Sequence, residues 1–106
     1  VGSGLTYQVV GEGEAEVGMG FNTNPNIARF DLVALEDDNG FFPVYNPAPM
    51  IKEETLENNG AVSQPLTDLV GTLSTDTIRE LNQRVSIDDE DASSVARDHL
   101  SSNDLI

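Results

Sequence analysis

Apolar and polar residues follow two different periods along this chain, and the change falls near its middle. In the first half, Ala15, Val17, Met19 and Phe21 alternate with Glu16, Gly18 and Gly20. A period of two predicts a strand with one face toward a core. The glycines leave its other face bare, so that backbone or ligand can approach closely there. Phe30 to Leu35 is apolar except for Asp31 and predicts a second strand after the turn-forming run Asn22 to Asn26, which centres on Pro25. Asp37, Asp38, Asn39 and Gly40 form a further turn. Phe41 to Ile51 is apolar and extended, and its prolines at 43, 47 and 49 restrict it to a partly paired or edge conformation.

Helical spacing appears at the start and dominates from Lys52 onward. Ser3 to Val10 predicts a short helix with Ser3 as N-cap, Leu5 and Val9 on one face and Gly11 as its stop. A short turn over Glu53 to Asn58 opens the second half. Pro65 suits a first helical position ahead of Leu66, Leu69 and Val70. Ser74 is placed to cap a helix with Ile78, Leu81 and Val85 inside, and Asp91 to cap a last one with Ala92, Val95, Ala96, His99 and Leu100 turned inward. Strands first and helices later give an α/β or α+β class, with neither an internal repeat nor a low-complexity tract.

Length limits this picture to one modest core: 106 residues bury roughly 65% of the surface their unfolded chain exposes. No run of 18 apolar residues and no signal-peptide pattern is present, and the start at Val1, already in patterned sequence, predicts a natural N-terminus further upstream. Absence of cysteine excludes disulfides, thiolate metal sites and cysteine nucleophiles. Charge adds the most: 19 acidic residues against five basic ones, with Lys52 the sole lysine, give a net charge of −14 that repels nucleic acid and anionic membranes. The acids recur in every segment, which favours a whole-surface adaptation to high salt over an acidic docking face or partial disorder.

Motifs for chemistry fail on inspection. Gly11 and Gly13 start a dinucleotide-type loop whose third glycine position is Glu16, in a turn that leads from helix to strand, the reverse of the phosphate-binding order. Asp37, Asn39 and Gly40 resemble the middle of a calcium loop, but that register puts Leu35 and Asn46 at the first and last ligand positions. The acids at 88–91 precede a helix, where the macrodipole favours them. His99 is the sole histidine and has no patterned partner, so helix packing is its expected role. These residues point to no enzyme, cofactor or metal. What remains is aromatic: Tyr7, Phe21, Phe30, Phe41, Phe42 and Tyr45, read from composition as core, though aromatic faces also hold quaternary ammonium groups.

One long phrase alters that balance. Phe30-Asp31-Leu32-Val33-Ala34-Leu35-Glu36-Asp37-Asp38-Asn39-Gly40-Phe41-Phe42-Pro43-Val44-Tyr45-Asn46-Pro47-Ala48-Pro49 resembles the central segment of osmoprotectant-binding proteins of ABC importers, which take glycine betaine, choline or carnitine. Gly4-Leu5-Thr6-Tyr7, Leu81-Asn82, and Asp91 through Val95-Ala96-Arg97 agree with that family in the same order, so the resemblance covers nearly the whole chain. With the acidic composition it implies a haloarchaeal member and its C-terminal part. The implied fold is part of a two-lobed α/β periplasmic-binding fold of type II, with strands in the first half and helices in the second. Residues 1–40 would end the second lobe, and 41–106 would supply a crossing strand and the C-terminal helices returning to the first. The resemblance further implies a cage for the ligand's cationic head with Tyr45 and Phe21 as walls, beside Asn22 and Thr23, and with the other walls upstream of Val1. Phe21 stands where the family has tyrosine, and Asn22-Thr23-Asn24 where it has Ser-Thr-Asp. Implied partners are a quaternary ammonium solute and an ABC permease, outside the cytoplasm, at the cell surface and anchored to the membrane in the full-length protein. An interaction or regulatory domain without transport is the alternative. Exposed apolar faces would favour a homodimer of the isolated chain.

Overall fold

The structure, a computed structural model, describes residues 3–43 and 46–106, with the backbone alone for Ser3. Among the described residues six helices run in order: α1 (Ser3–Gly11), α2 (Asn26–Arg29), α3 (Glu53–Asn58), α4 (Ser63–Gly71), α5 (Thr75–Ser86) and α6 (Ala92–Ser102), with a 3-10 turn at Gly60–Val62 before α4. Among the described residues there is no β-strand. This overturns the α/β expectation with strands in the first half: neither Ala15–Phe21 nor Phe30–Leu35 is a strand, and the described part of Phe41–Ile51 is not one either. A helix closes its hydrogen bonds within itself, whereas a strand exists only beside another. The described part of this chain supplies no such neighbour.

The helix boundaries follow local chemistry. Ser74 Oγ accepts the Thr77 N–H at 3.1 Å to start α5, and Asp91 Oδ2 accepts the Ser94 N–H at 2.9 Å to start α6. Beyond α1, Gly13 has φ 76° and donates to the Val10 carbonyl while Glu14 donates to Val9, a Schellman closure. Gly13, rather than Gly11, therefore takes the left-handed position. Gly11 has another use: a Cβ there would lie 2.8 Å from Cβ of Phe30, so it admits the end of α2 against α1.

Helix α2 is the element the hydrophobic pattern misses. Asn24 Oδ1 accepts the Asn26 N–H at 2.9 Å, and Pro25 sits at a helical φ of −66°. At the far end, Asp31 at φ 52° donates to Ala28 and Leu32 donates to Ile27, again a Schellman closure. The apolar run after Phe30 thus begins as a helix terminus instead of a strand.

Two small clusters hold the chain. In the first, the segment 15–21 lies along α1, where Cβ atoms at Gly18 and Gly20 would meet Thr6 Cγ2 at 2.9 Å and Tyr7 Oη at 2.7 Å. The bare face of that segment is thus filled by a helix, with Tyr7 buried beneath it. An apolar groove of about 210 Å³, lined by Leu5, Val9, Val10, Ala15 and Val17 among others, stays open between them. The second cluster lies around Val95, which is 2% exposed, where α6 packs on α5. Ala92 and Ala96, expected inside, are exposed. Packing is loose throughout: the radius of gyration is 17.0 Å, against about 13 Å for a compact domain of this length. The accessible surface is 8349 Å², against about 5,800 Å² from size scaling.

Candidate ligand-binding turn

The residues expected at the site occupy the turn that joins the segment 15–21 to α2. Its hydrogen bond runs from the Asn24 N–H to the Phe21 carbonyl at 3.0 Å, with Asn22 and Thr23 at its tip. Asn24 serves twice, closing this turn through its backbone and opening α2 through its side chain. Phe21 is 62% exposed. Tyr45, the other expected wall, lies outside the described residues.

Both flanks of the turn are tied to helices through backbone atoms. On one side the Phe21 N–H donates to Tyr7 Oη at 2.7 Å, so buried Tyr7 serves as an anchor rather than a ligand wall. On the other, α5 approaches from more than fifty residues away in sequence. Arg79 Nε donates to the Asn22 carbonyl, and Asn82 Nδ2 donates to the Thr23 carbonyl at 3.1 Å. Asp76 Oδ1, one helical turn before Arg79, accepts from its Nη1 at 3.1 Å and orients the guanidinium. In the sequence, Asn82 is marked only by the family resemblance, and Arg79 carries no mark. Their spacing of three on one helix face was the available signal, but a bond to a backbone carbonyl leaves no trace in the partner's residue type.

The other aromatic and polar residues have structural uses. Phe30 packs on Gly11 and lies 5.5 Å under the Arg29 guanidinium. Phe41 and Phe42 form a T-shaped pair with centroids 5.1 Å apart, and the Asp37 carboxylate accepts both of their N–H groups, at 2.9 and 2.7 Å. These two backbone bonds, Phe42 first, hold the Asp37 carboxyl below the usual aspartate range. Asp37 is therefore a turn clamp. His99 Nε2 lies 2.9 Å from Thr72 Oγ1, whose proton goes to the Leu69 carbonyl at 2.7 Å. This network assigns the His99 Nε2–H as donor and ties α6 to the end of α4. Among the described residues no group of three or more His, Asp or Glu is gathered as for a metal ion. None of their helices is long and apolar enough to cross a membrane.

A pinned turn carrying one aromatic ring is too small a feature to name a function. Comparison with known proteins decides the family. The substrate-binding domain of ABC-type glycine betaine transport systems matches residues 2–102. The chain belongs to this family. Among individual proteins it is 28% identical over 100 residues to the carnitine transport binding protein OpuCC of Listeria monocytogenes, covering 94% of this chain and 32% of that protein. It is 32% identical over 82 residues to the glycine betaine-binding protein YehZ of Escherichia coli, covering 77% and 27%. It is 30% identical over 99 residues to CosB of Halobacterium salinarum, a chemotactic signal transduction system substrate-binding protein, covering 92% and 28%. The chain thus spans about a third of the length of the curated relatives it matches.

Proposed function

We propose that this chain belongs to an extracytoplasmic solute receptor that captures a quaternary ammonium compatible solute, glycine betaine, choline or carnitine, and delivers it to an ABC permease at the cell surface. It acts by binding and not by catalysis. The observation that carries this reading is the family match over nearly the whole chain. In the proposed site Tyr45 and Phe21 are two walls of an aromatic cage, with Asn22 and Thr23 beside them, and the 62% exposure of Phe21 on a pinned turn supports that role. Residues 1–40 then end one lobe of the receptor and 41–106 return to the other. The full-length protein carries the remaining walls and a membrane anchor. A cation desolvated among several rings gains up to about 2 kcal/mol from each, while two walls alone leave it hydrated, near 0.5 kcal/mol per contact.

Calorimetry on the full-length protein, in molar salt, tests this. Glycine betaine, choline or carnitine binds, and Tyr45→Ala weakens binding by about 1–2 kcal/mol, roughly tenfold, while Tyr45→Phe costs less because the ring survives. Unchanged affinity in Tyr45→Ala for all three solutes would remove Tyr45 from the site.

The likeness to a substrate-binding protein of a chemotactic signal transduction system supports a second reading, in which the solute-loaded protein reports to a sensory partner without transport. Solute uptake by cells lacking the gene separates the two: transport requires that uptake fall, and a sensory role leaves it intact.

A further inference from the structure

Three hydrogen bonds from α1 and α5 hold the turn at Phe21 by its backbone. Phe21 N–H is held by Tyr7 from α1; the carbonyls of Asn22 and Thr23 are held by Arg79 and Asn82 from α5. Backbone anchoring fixes the path of the chain whatever side chains stand at the tip, so it determines where the Phe21 ring and the Asn22 and Thr23 side chains face. The grip from α5 is itself supported. Asp76 holds the Arg79 guanidinium, and Arg79 lies half-buried with 24% of its side chain exposed. Remove these donors and the two carbonyls turn to water, and the turn loses its attachment to α5.

We propose that Arg79 and Asn82 are positioning residues for ligand capture, and that Asp76 acts behind them by orienting Arg79. They touch the turn's backbone and act on the ligand only through it. Weak grip at one flank would let the Phe21 ring sample several orientations, and a cage gains affinity from rings already in place. This inference rests on the capture reading above for its ligand, though not for the grip itself.

The experiment uses the full-length protein and the variants Arg79→Gln, Asn82→Leu, the two combined, and Arg79→Lys, which keeps one donor and the charge. Two measurements are made well below the melting temperature: hydrogen exchange at the Phe21 and Asn24 amides without ligand, and the Kd and stoichiometry for glycine betaine by calorimetry. The double variant should exchange these amides about tenfold faster and bind about tenfold more weakly with stoichiometry unchanged. Arg79→Lys should fall between it and the wild type. Unchanged exchange would overturn the proposal, because α5 would not then hold the turn. Faster exchange with unchanged Kd would overturn it too, as would a drop in stoichiometry or melting temperature alone, which marks a merely structural role. If the wild-type protein binds no quaternary ammonium solute, the capture reading and the positioning role fall, and the exchange measurement still decides whether α5 grips the turn.

Discussion

Helices α5 and α6 and the segment from Leu32 to Ile51 are both rich in apolar side chains, and they keep them in different places. On α5 and α6, Ile78, Leu81, Val85 and Leu100 are half-buried around buried Val95. Along the segment, Val33, Leu35, Phe41 and Met50 are 83%, 77%, 82% and 98% exposed. A helix satisfies its own backbone and needs a neighbour on one stripe only, so two adjacent helices already shelter each other. An extended apolar run needs neighbours at its edges for hydrogen bonds and at its faces for burial. The described chain offers the first arrangement and lacks the second.

The contrast breaks or holds most visibly in paired substitutions. Val95→Ala removes buried methyl groups and should destabilise the 106-residue chain by about 1–2 kcal/mol in urea unfolding. Val33→Ser removes a side chain of the same size from a solvated position and should stay within about 0.5 kcal/mol. Equal costs would mean that the segment is sheltered in solution, and the distinction between the two regions would fail.

The same contrast explains what could be read from residues alone. Caps belong to a few consecutive residues, so α5 and α6 were legible from Ser74 and Asp91, and α1 from Leu5 and Val9, although its stop is Gly13 and not Gly11. At 15–21 the apolar face expected toward a core is exposed, with Val17, Met19 and Phe21 at 71%, 72% and 62%; the bare glycine face does meet a close neighbour, formed by side chains of α1 instead of a ligand. Helix α2 stayed hidden because four residues carry too little hydrophobic pattern, although Asn24-Pro25 announces its start. The turn that follows Phe21 was legible from the composition of Asn22 to Asn26. The grip by Arg79 and Asn82 was not, since it joins side chains to backbone across more than fifty residues.

A smaller effect separates the two regions by salt. Between α5 and α6, Arg84 donates to Glu90 at 2.6 and 2.9 Å and to Asp98 at 2.9 Å, an exposed triad that is the main charged link between the helices. The rest of the chain is dominated by repulsion among carboxylates. Salt screens both. The melting temperature of the wild type should therefore rise from dilute buffer to molar salt as repulsion is relieved, and Arg84→Gln should lower it modestly. The gap between the two proteins should narrow as salt increases. A melting temperature that falls with salt would remove the high-salt interpretation of the charge.

The smallest expected effect is local to the exposed segment and appears only in acid. Asp37 fixes the entry to Phe41 and Phe42 by accepting their N–H groups, and those bonds hold its carboxyl below the usual range. A carboxyl whose folded pKa is depressed contributes stability above its unfolded value, about 3.9, and loses that contribution as pH falls through the folded value. Near neutrality the clamp is therefore fully formed and insensitive to pH. Below about pH 4 it should release, first slightly and then completely once Asp37 is protonated. Bulk unfolding is a poor readout, because the chain carries 19 acidic side chains in all. Site-resolved NMR answers the question: the Asp37 carboxyl carbon should titrate with a midpoint below 3.9, and the Phe41 and Phe42 amide shifts should move with the same midpoint. In Asp37→Asn, whose side chain offers a single accepting oxygen, one of the two amides should lose its partner and exchange faster at every pH. A normal Asp37 midpoint, with amide shifts indifferent to it, would show that the segment has no fixed entry and is as unconstrained in its backbone as it is exposed in its side chains.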